Sequence, residues 1–274
     1  MPGPLAAWRA GDLRSGAALA ARVVAVTVLA IVAWWVSQLL GGVSASPDVA
    51  ADGAISTGRL FNWHPVLMVL AFPVLMSEAL LAYRAPLFAG APRQPLCKVA
   101  HWVCHSLAVV CVAGGLSAVW RSHDLASPPI PNLYSPHSFL GLATVSLMAV
   151  QFGVGFISYL YPKTPLEHRE ALGPIHRFVG QATYCAGLAA AASGLQEKAT
   201  FLQLVGKKAV YSSHIRAPAL AAALLLPLAL LVLSAYAPLA PAPAPAGGGG
   251  AGQGRQGGGA GLGDDEESLP LARD

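Results

Sequence analysis

The sequence predicts an all-α membrane protein with six transmembrane helices, in which helices two to five form a central antiparallel four-helix bundle. Its 274 residues are 55% hydrophobic and only 11% charged, whereas soluble domains carry about 25% charged residues. The apolar residues fall into six runs, each long enough to cross a hydrocarbon core of about 30 Å. These runs cover about residues 23–40, 61–83, 97–120, 136–160, 174–196 and 212–236.

Three segments follow from this pattern. Residues 1–20 form a polar N-terminal segment, residues 21–236 form the six-helix membrane domain, and residues 237–274 form a tail. The tail consists of Pro-Ala repeats, a Gly-rich stretch and a short acidic run, a composition that cannot build a core and predicts disorder. The acidic run precedes Leu269-Pro-Leu, which favours sorting to an endomembrane of the vacuolar type over the plasma membrane.

The distribution of Lys and Arg predicts the orientation of the helices. Nine of these residues fall on the side of the N-terminus and six on the other side, tail excluded. The first set is Arg9, Arg14, Arg22, Arg84, Arg93, Lys98, Lys163, Arg169 and Arg177, and the second is Arg59, Arg121, Lys198, Lys207, Lys208 and Arg216. Positive charge is enriched in cytosolic connections, so we expect both termini in the cytosol.

The cysteines and the basic residues exclude several classes of site. The four cysteines lie in or beside apolar runs and form no Cys-x-x-Cys motif, which argues against structural zinc and covalently attached c-type haem. No basic cluster with interleaved aromatic residues indicates a nucleic-acid partner.

A histidine stands at the start of each of the four central apolar runs: His64, His101, His137 and His176. An ionisable residue within a membrane helix is a functional candidate. Because successive helices alternate in direction, His64 and His137 should lie near the non-cytosolic face, and the other two near the cytosolic face. Alternate helices are diagonal in an antiparallel bundle, so each pair should face across the core. Two imidazoles opposed in this way suit the axial positions of a haem iron, and we predict two non-covalent haems b.

Small residues share the helix faces of these histidines. Steps of three and four residues keep to one face of a helix. The face of His176 contains Gly173, Gly180, Thr183, Gly187, Ala190 and Gly194. Such a stripe permits either close packing of membrane helices or a groove for a porphyrin, and the histidine at its head favours the groove.

Three motifs resemble the cytochrome b561 family over about residues 20–236: Phe61-Asn-Trp-His64-Pro-Val-Leu-Met, Tyr134-Ser-Pro-His137-Ser and the pair Glu197-Lys198. Plant members are similar through Glu197-Lys-Ala-Thr-Phe-Leu-Gln203. The resemblance implies a six-helix, di-haem, ascorbate-dependent transmembrane oxidoreductase. It also implies that His64 pairs with His137, and His101 with His176.

The resemblance further implies two substrate sites. Lys98 and Arg169 resemble the cations that bind cytosolic ascorbate in the family. A further plant Lys, four residues before Lys98, is Gln94 here, with Arg93 as its substitute. On the other face, His123 resembles a histidine that contacts the acceptor, and Tyr134 is a second candidate there. The acceptor would be monodehydroascorbate or a ferric chelate, and the other partners would be membrane lipid and, in a homodimer, a second copy.

Two residues near these centres keep open roles. His105 lies one turn beyond His101 and would either hydrogen-bond the haem periphery or be a satisfied core histidine. Glu78 lies on the His64 face near the cytosolic haem, where it would be protonated or hydrogen-bonded, and we assign it no role.

Two alternative functions remain open from the sequence. A histidine relay for a metal ion or protons would need carboxylates along its path, and Glu78 alone is at depth. A quinone-linked haem b anchor subunit of a respiratory enzyme would share the histidines. A visible spectrum distinguishes the first alternative, and reduction by ascorbate distinguishes the second.

Overall fold

The protein is mostly helical, as predicted, and has one short β-hairpin. The computed structural model describes residues 4–87 and 93–237. In chain order its first elements are α1 (Pro4–Leu39), β1 (Asp48–Val49), β2 (Ile55–Ser56), α2 (Gly58–Phe61), α3 (Trp63–Val69), a π-helical segment (Leu70–Met76) and α4 (Ser77–Leu81). They are followed by α5 (Arg93–Asp124), α6 (Pro136–Gly155), a π-helical turn (Phe156–Leu160), α7 (Leu166–Leu204) and α8 (Ser213–Tyr236). The two strands pair antiparallel, with Asp48 opposite Ser56.

Within the described ranges, five helical stretches are long and apolar enough to cross a membrane. They are Leu13–Leu39, Gly58–Leu81, Pro95–Asp124, Pro136–Leu160 and Ser213–Tyr236. The remaining predicted helix, the run at about residues 174–196, lies in α7. Helix α7 has 39 residues and would extend about 58 Å at a rise of 1.5 Å per residue. It does not reach the same mean hydropathy, because residues such as Gln181, Tyr184 and Ser193 interrupt its apolar run.

Helix α1 begins earlier than the apolar pattern indicates. We placed a polar segment at residues 1–20, whereas α1 is continuous from Pro4, because this stretch is rich in Ala and Leu, which favour helix. Arg14 therefore lies on a helix, and its Nη2 donates a hydrogen bond to the carbonyl oxygen of Ala237 at 2.7 Å. The predicted tail lies outside the described residues, apart from Ala237.

Two sets of helices pack side by side. Helix α8 packs along both α1 and α7, and α7 packs against α6, while α5 packs against α3, the π-helical segment and α4. The α1–α8 contact is rich in small and branched residues, among them the fully buried Ala21, Val28, Ala221 and Leu228. Small side chains allow membrane helices to approach closely, and van der Waals packing then stabilises the pair.

A buried layer separates the two ends of the central helices. Pro73 has no backbone N–H and cannot fit a regular helical turn, and the backbone around it is π-helical. The Ser77 hydroxyl donates to the Pro73 carbonyl oxygen at 2.6 Å and accepts from the Tyr184 hydroxyl at 2.9 Å. Phe72 fills the space beside Gly187. Tyr184 lies eight residues after His176 and ten before Gly194, so this layer stands between the two histidine pairs described next.

Candidate functional site

The four central histidines meet in two pairs at opposite ends of the central helices. The ring centroids of His64 on α3 and His137 on α6 are 6.1 Å apart, with the ring planes at 78°. Those of His101 on α5 and His176 on α7 are 6.5 Å apart, at 64°. Two imidazoles that bind one metal ion from opposite sides, at about 2.0–2.1 Å, place their centroids about 6.3 Å apart. Both pairs have the spacing for a shared metal ion.

Local structure fixes His64 and His137 near the starts of their helices. Asn62 is buried, and its Nδ2 donates to the carbonyl oxygens of Leu40 at 3.1 Å and Gly42 at 2.7 Å. This contact ties the chain just before His64 to the end of α1. Ser135 caps α6 two residues before His137, and its hydroxyl accepts from the backbone N–H of Ser138. Both histidines are therefore held by backbone contacts outside the rings.

Three of the four rings bind a backbone carbonyl oxygen through Nδ1. His64 binds Gly115 at 3.1 Å, His101 binds Ala79 at 2.8 Å and His137 binds Ala190 at 2.9 Å. A carbonyl oxygen only accepts, so Nδ1 must carry the proton and the lone pair must lie on Nε2. Metal-ligating histidines usually donate their second ring N–H in this way, which fixes the tautomer and the ring orientation.

The fourth ring, His176, has a different environment. Its Nδ1 is buried and has no hydrogen-bond partner among the described residues. A Cβ added at Gly155 would lie 3.1 Å from its Cε1, so a larger residue at this position would require the ring to shift by a few tenths of an ångström. A buried polar atom without a protein partner is consistent with a bound water, ion or ligand at this position.

The residues fit a haem better than a metal ion bound by protein alone. No cluster of three or more His, Cys, Asp or Glu side chains suitable for a metal ion occurs in residues 4–87 and 93–237. Each histidine pair can supply two ligands to a metal ion, which would leave the remaining positions around the metal to a bound group. A porphyrin supplies the other four positions in one plane.

The glycine stripe of α7 does not form the groove that we favoured from the sequence. The ring of Phe72 occupies the space at Gly187, and the amide of Gln151 lies 3.3 Å from a Cβ added at Gly180. At Gly194 the added Cβ would lie 2.6 Å from Cε1 of His137. The glycines thus admit neighbouring side chains, including one of the four histidines, because side chains from other helices fill the space that a missing Cβ leaves.

Three cations gather beside the His101–His176 pair. The Lys98 ammonium donates to the carbonyl oxygen of Tyr159 at 2.6 Å and lies within electrostatic reach of Lys163 and Arg169. The Arg169 Nε donates to the carbonyl oxygen of Thr164 at 3.0 Å. Among the described side chains, none of the three cations forms an ion pair with a carboxylate. The cluster can therefore attract an anion.

Two of these three cations, Lys98 and Arg169, were predicted from the sequence. Lys163 was used only in the count of positive charges that predicts the orientation of the helices, because its approach to Lys98 depends on the turn between α6 and α7. There Lys163 has a φ of 72°, and its backbone N–H donates to the carbonyl oxygen of Ile157 at 3.1 Å. The side chain of Arg93, the third predicted ascorbate contact, lies outside the described part of the chain. The ring centroid of His105 lies 4.6 Å from that of His101.

His123 and Tyr134 meet at the opposite end, beside His64. We expected His123 in a loop, but it lies in the last turn of α5, and its Nδ1 contacts Asn132 Oδ1 at 2.9 Å. Its ring centroid lies 6.4 Å from that of Tyr134 and 6.5 Å from that of Phe61, whose plane is nearly parallel at 9°. The Lys198 ammonium lies 4.3 Å from the centroid of Phe61.

Burial, the negative charge of Glu197 and a hydrogen bond to that carboxylate raise the pKa of Tyr134 to about 12. The phenol therefore stays protonated throughout the physiological pH range and serves as a hydrogen-bond donor. Glu197 Oε2 also accepts from the Ser135 hydroxyl at 2.8 Å. Glu197 and Lys198 entered the sequence prediction only as motif residues, and their position beside this site together with Phe61 was not predicted. Their position near the end of α7 could have indicated that they lie at this end of the molecule.

Comparison with known proteins matches residues 63–202, just over half of the chain, to the family described as eukaryotic cytochrome b561. A lysosomal membrane ascorbate-dependent ferrireductase of Bos taurus is 40% identical over 175 residues, which cover 64% of this chain and 62% of the relative. A probable ascorbate-specific transmembrane electron transporter of Oryza sativa is 34% identical over 186 residues, 68% of this chain and 74% of the relative. A transmembrane ascorbate ferrireductase of Arabidopsis thaliana is 34% identical over 183 residues, 67% and 74%. The chain thus spans less than two thirds of the bovine protein's length.

Proposed function

This chain belongs to the eukaryotic cytochrome b561 family, and from that premise we propose that it is an ascorbate-dependent transmembrane oxidoreductase. It would take single electrons from cytosolic ascorbate and deliver them to monodehydroascorbate or a ferric chelate on the other side of the membrane. The names of the bovine, rice and Arabidopsis relatives, which refer to ascorbate and to ferrireductase or electron transport, support this proposal.

The observation that carries the proposal is the pairing of four histidines at two ends of the central helices. Members of this family are haem b proteins, and haem b supplies one-electron chemistry when bound. His101 and His176 would hold one haem, and His64 and His137 the other. The Nδ1 hydrogen bonds of His64, His101 and His137 would keep these imidazoles oriented and increase their basicity as ligands.

The two mouths of the bundle would bind the two substrates. Ascorbate is an anion, and Lys98 and Arg169, together with Lys163, would attract it beside the His101–His176 pair. Arg93 remains a proposed fourth contact. At the other mouth, His123 and Tyr134 would bind the acceptor. His123 can also take up or release a proton near neutral pH, which suits a substrate whose oxidation releases protons.

We further propose that both termini are cytosolic and that the protein resides in an endomembrane of the vacuolar type. The excess of Lys and Arg on the N-terminal side and the lysosomal bovine relative support this placement. A histidine relay for metal ions is the weaker alternative, because the one carboxylate that we expected at depth, Glu78, is bound to Arg22.

Proteoliposomes that enclose a ferric chelate, with ascorbate added outside, test the two mouths separately. Lys98→Ala with Arg169→Ala should raise the ascorbate concentration needed for reduction from the cytosolic side about 30-fold, because the variant removes two partly exposed charges that each contribute on the order of 1 kcal/mol. The oxidised visible spectrum should not change. His123→Ala should instead slow reduction of the trapped chelate and leave reduction of the haem by external ascorbate nearly intact.

The control is Lys207→Ala with Lys208→Ala, which removes two cations from an exposed segment and should match the wild type. Protease access to the tail reports the orientation in the vesicles. The proposed orientation would be inverted by the opposite pair of results. In that case the Lys98 and Arg169 variant would lose only reduction of the trapped chelate, and His123→Ala would lose only reduction of the haem by external ascorbate.

A further inference from the structure

A bidentate ion pair joins α1 to α4. Arg22 Nε donates to Glu78 Oε1 at 2.7 Å and Nη2 to Oε2 at 3.0 Å, while Nη2 also donates to the carbonyl oxygen of Ala85 at 2.8 Å. The two side chains are only 17% and 25% exposed. Both residues lie within candidate membrane spans. From the sequence, Arg22 was used only in the count of positive charges that predicts the orientation of the helices, and Glu78 was given no role. The two residues are 56 positions apart, and nothing in the sequence links them.

The pair lies beside the support of His101. Ala79, the residue after Glu78, accepts the Nδ1 hydrogen bond of His101 at 2.8 Å. On the α5 side, the Glu78 carboxylate acts electrostatically on Cys104, three residues after His101. The carboxylate therefore lies near the stretch of α5 that contains His101 and Cys104, with its guanidinium partner bound to it.

We propose that the Arg22–Glu78 pair sets the reduction midpoint of the His101–His176 centre and leaves the His64–His137 centre unchanged. The proposal rests on the proposed function, because it requires a redox group on His101 and His176. A carboxylate stabilises an oxidised iron, which carries more positive charge, and a guanidinium favours the reduced iron. Within the pair the two effects offset each other, and removal of one partner leaves an uncompensated charge in a medium that screens charge weakly.

Redox titration of the purified protein, followed by the visible spectrum, measures this effect without an activity assay. Glu78→Gln leaves Arg22 uncompensated and should raise the midpoint of one spectral component. We expect the ratio of reduced to oxidised centre at a fixed potential to increase about tenfold, which for a one-electron couple is about 59 mV. Arg22→Gln should shift the same component in the opposite direction. The double variant should return it close to the wild-type value.

Three further variants separate charge from shape. Glu78→Asp and Arg22→Lys keep the charges but lose the bidentate geometry, so they should titrate like the wild type even if a neutral variant does not fold. Asp48→Asn removes a carboxylate from the exposed Arg59–Asp48 pair and should leave the component unchanged. The component in question is the one that His101→Ala removes.

Several outcomes would overturn the proposal. The first is that the midpoint does not shift in Glu78→Gln or in Arg22→Gln, and the second is that it shifts in the same direction in both. The third is that Glu78→Asp and Arg22→Lys shift the midpoint as much as the neutral variants do. A shift confined to the other component would also overturn it. A wild-type protein that binds no haem would instead overturn the proposed function itself, so the two failures are distinguishable.

Discussion

The variants His101→Ala and His64→Ala should each lose one of two haem signals, and not the same one. Their rings belong to pairs at opposite ends of the central helices, with centroid distances of 6.5 Å from His101 to His176 and 6.1 Å from His64 to His137. Each variant removes one of the two imidazoles that would hold a haem, so we expect about half of the haem per chain to be lost. Visible spectra of the purified variants, with haem content per polypeptide, measure the effect.

His168→Ala is the matched control, because His168 is an exposed histidine on α7 and should leave both signals intact. The double variant should lose both signals. Loss of the same spectral component in both single variants would contradict the pairing proposed here.

The variant Gly194→Ala should lose the His64–His137 centre although it adds a single methyl group. That methyl group would lie 2.6 Å from Cε1, 2.9 Å from Nδ1 and 3.0 Å from Nε2 of His137, distances too short for non-bonded atoms. Alanine stabilises a helix by about 1 kcal/mol relative to glycine, so α7 itself should not suffer. The imidazole must move off its carbonyl partner Ala190, and the axial position is lost.

Gly141→Ala is the control for this variant. Gly141 lies four residues after His137 on α6, and a Cβ added there meets no atom within 4 Å. It should bind haem like the wild type. Full haem content in Gly194→Ala would show that His137 does not need its present position against α7 to serve as a ligand.

The approximate positions of the helices could be predicted from the sequence because they depend on local pattern. Runs of apolar residues fix the approximate spans, and alternation of helix direction places His64 and His137 at one end. The residues that bind the histidines were less accessible. Gly115, Ala79 and Ala190 offer backbone carbonyl oxygens, which every residue possesses, so no side-chain pattern marks them.

Long-range contacts account for what the sequence did not predict. The stripe of small residues on α7 indicates close approach, but only the fold determines that Phe72 and His137 fill it. Lys163 reaches Lys98 through a turn whose φ of 72° the pattern does not predict. Glu78 has a partner on another helix, so its charge could not be assigned from its own surroundings.

The number of haems tests the central claim most directly. Two histidine pairs, each with the spacing for one metal ion, predict two haems b per chain, and because no Cys-x-x-Cys-His occurs in the sequence we expect both to be non-covalent. Acid-acetone extraction should release all haem from the purified protein, and the pyridine haemochrome should give two haems b per polypeptide. A count of one, or haem that remains attached to the protein, would contradict the account.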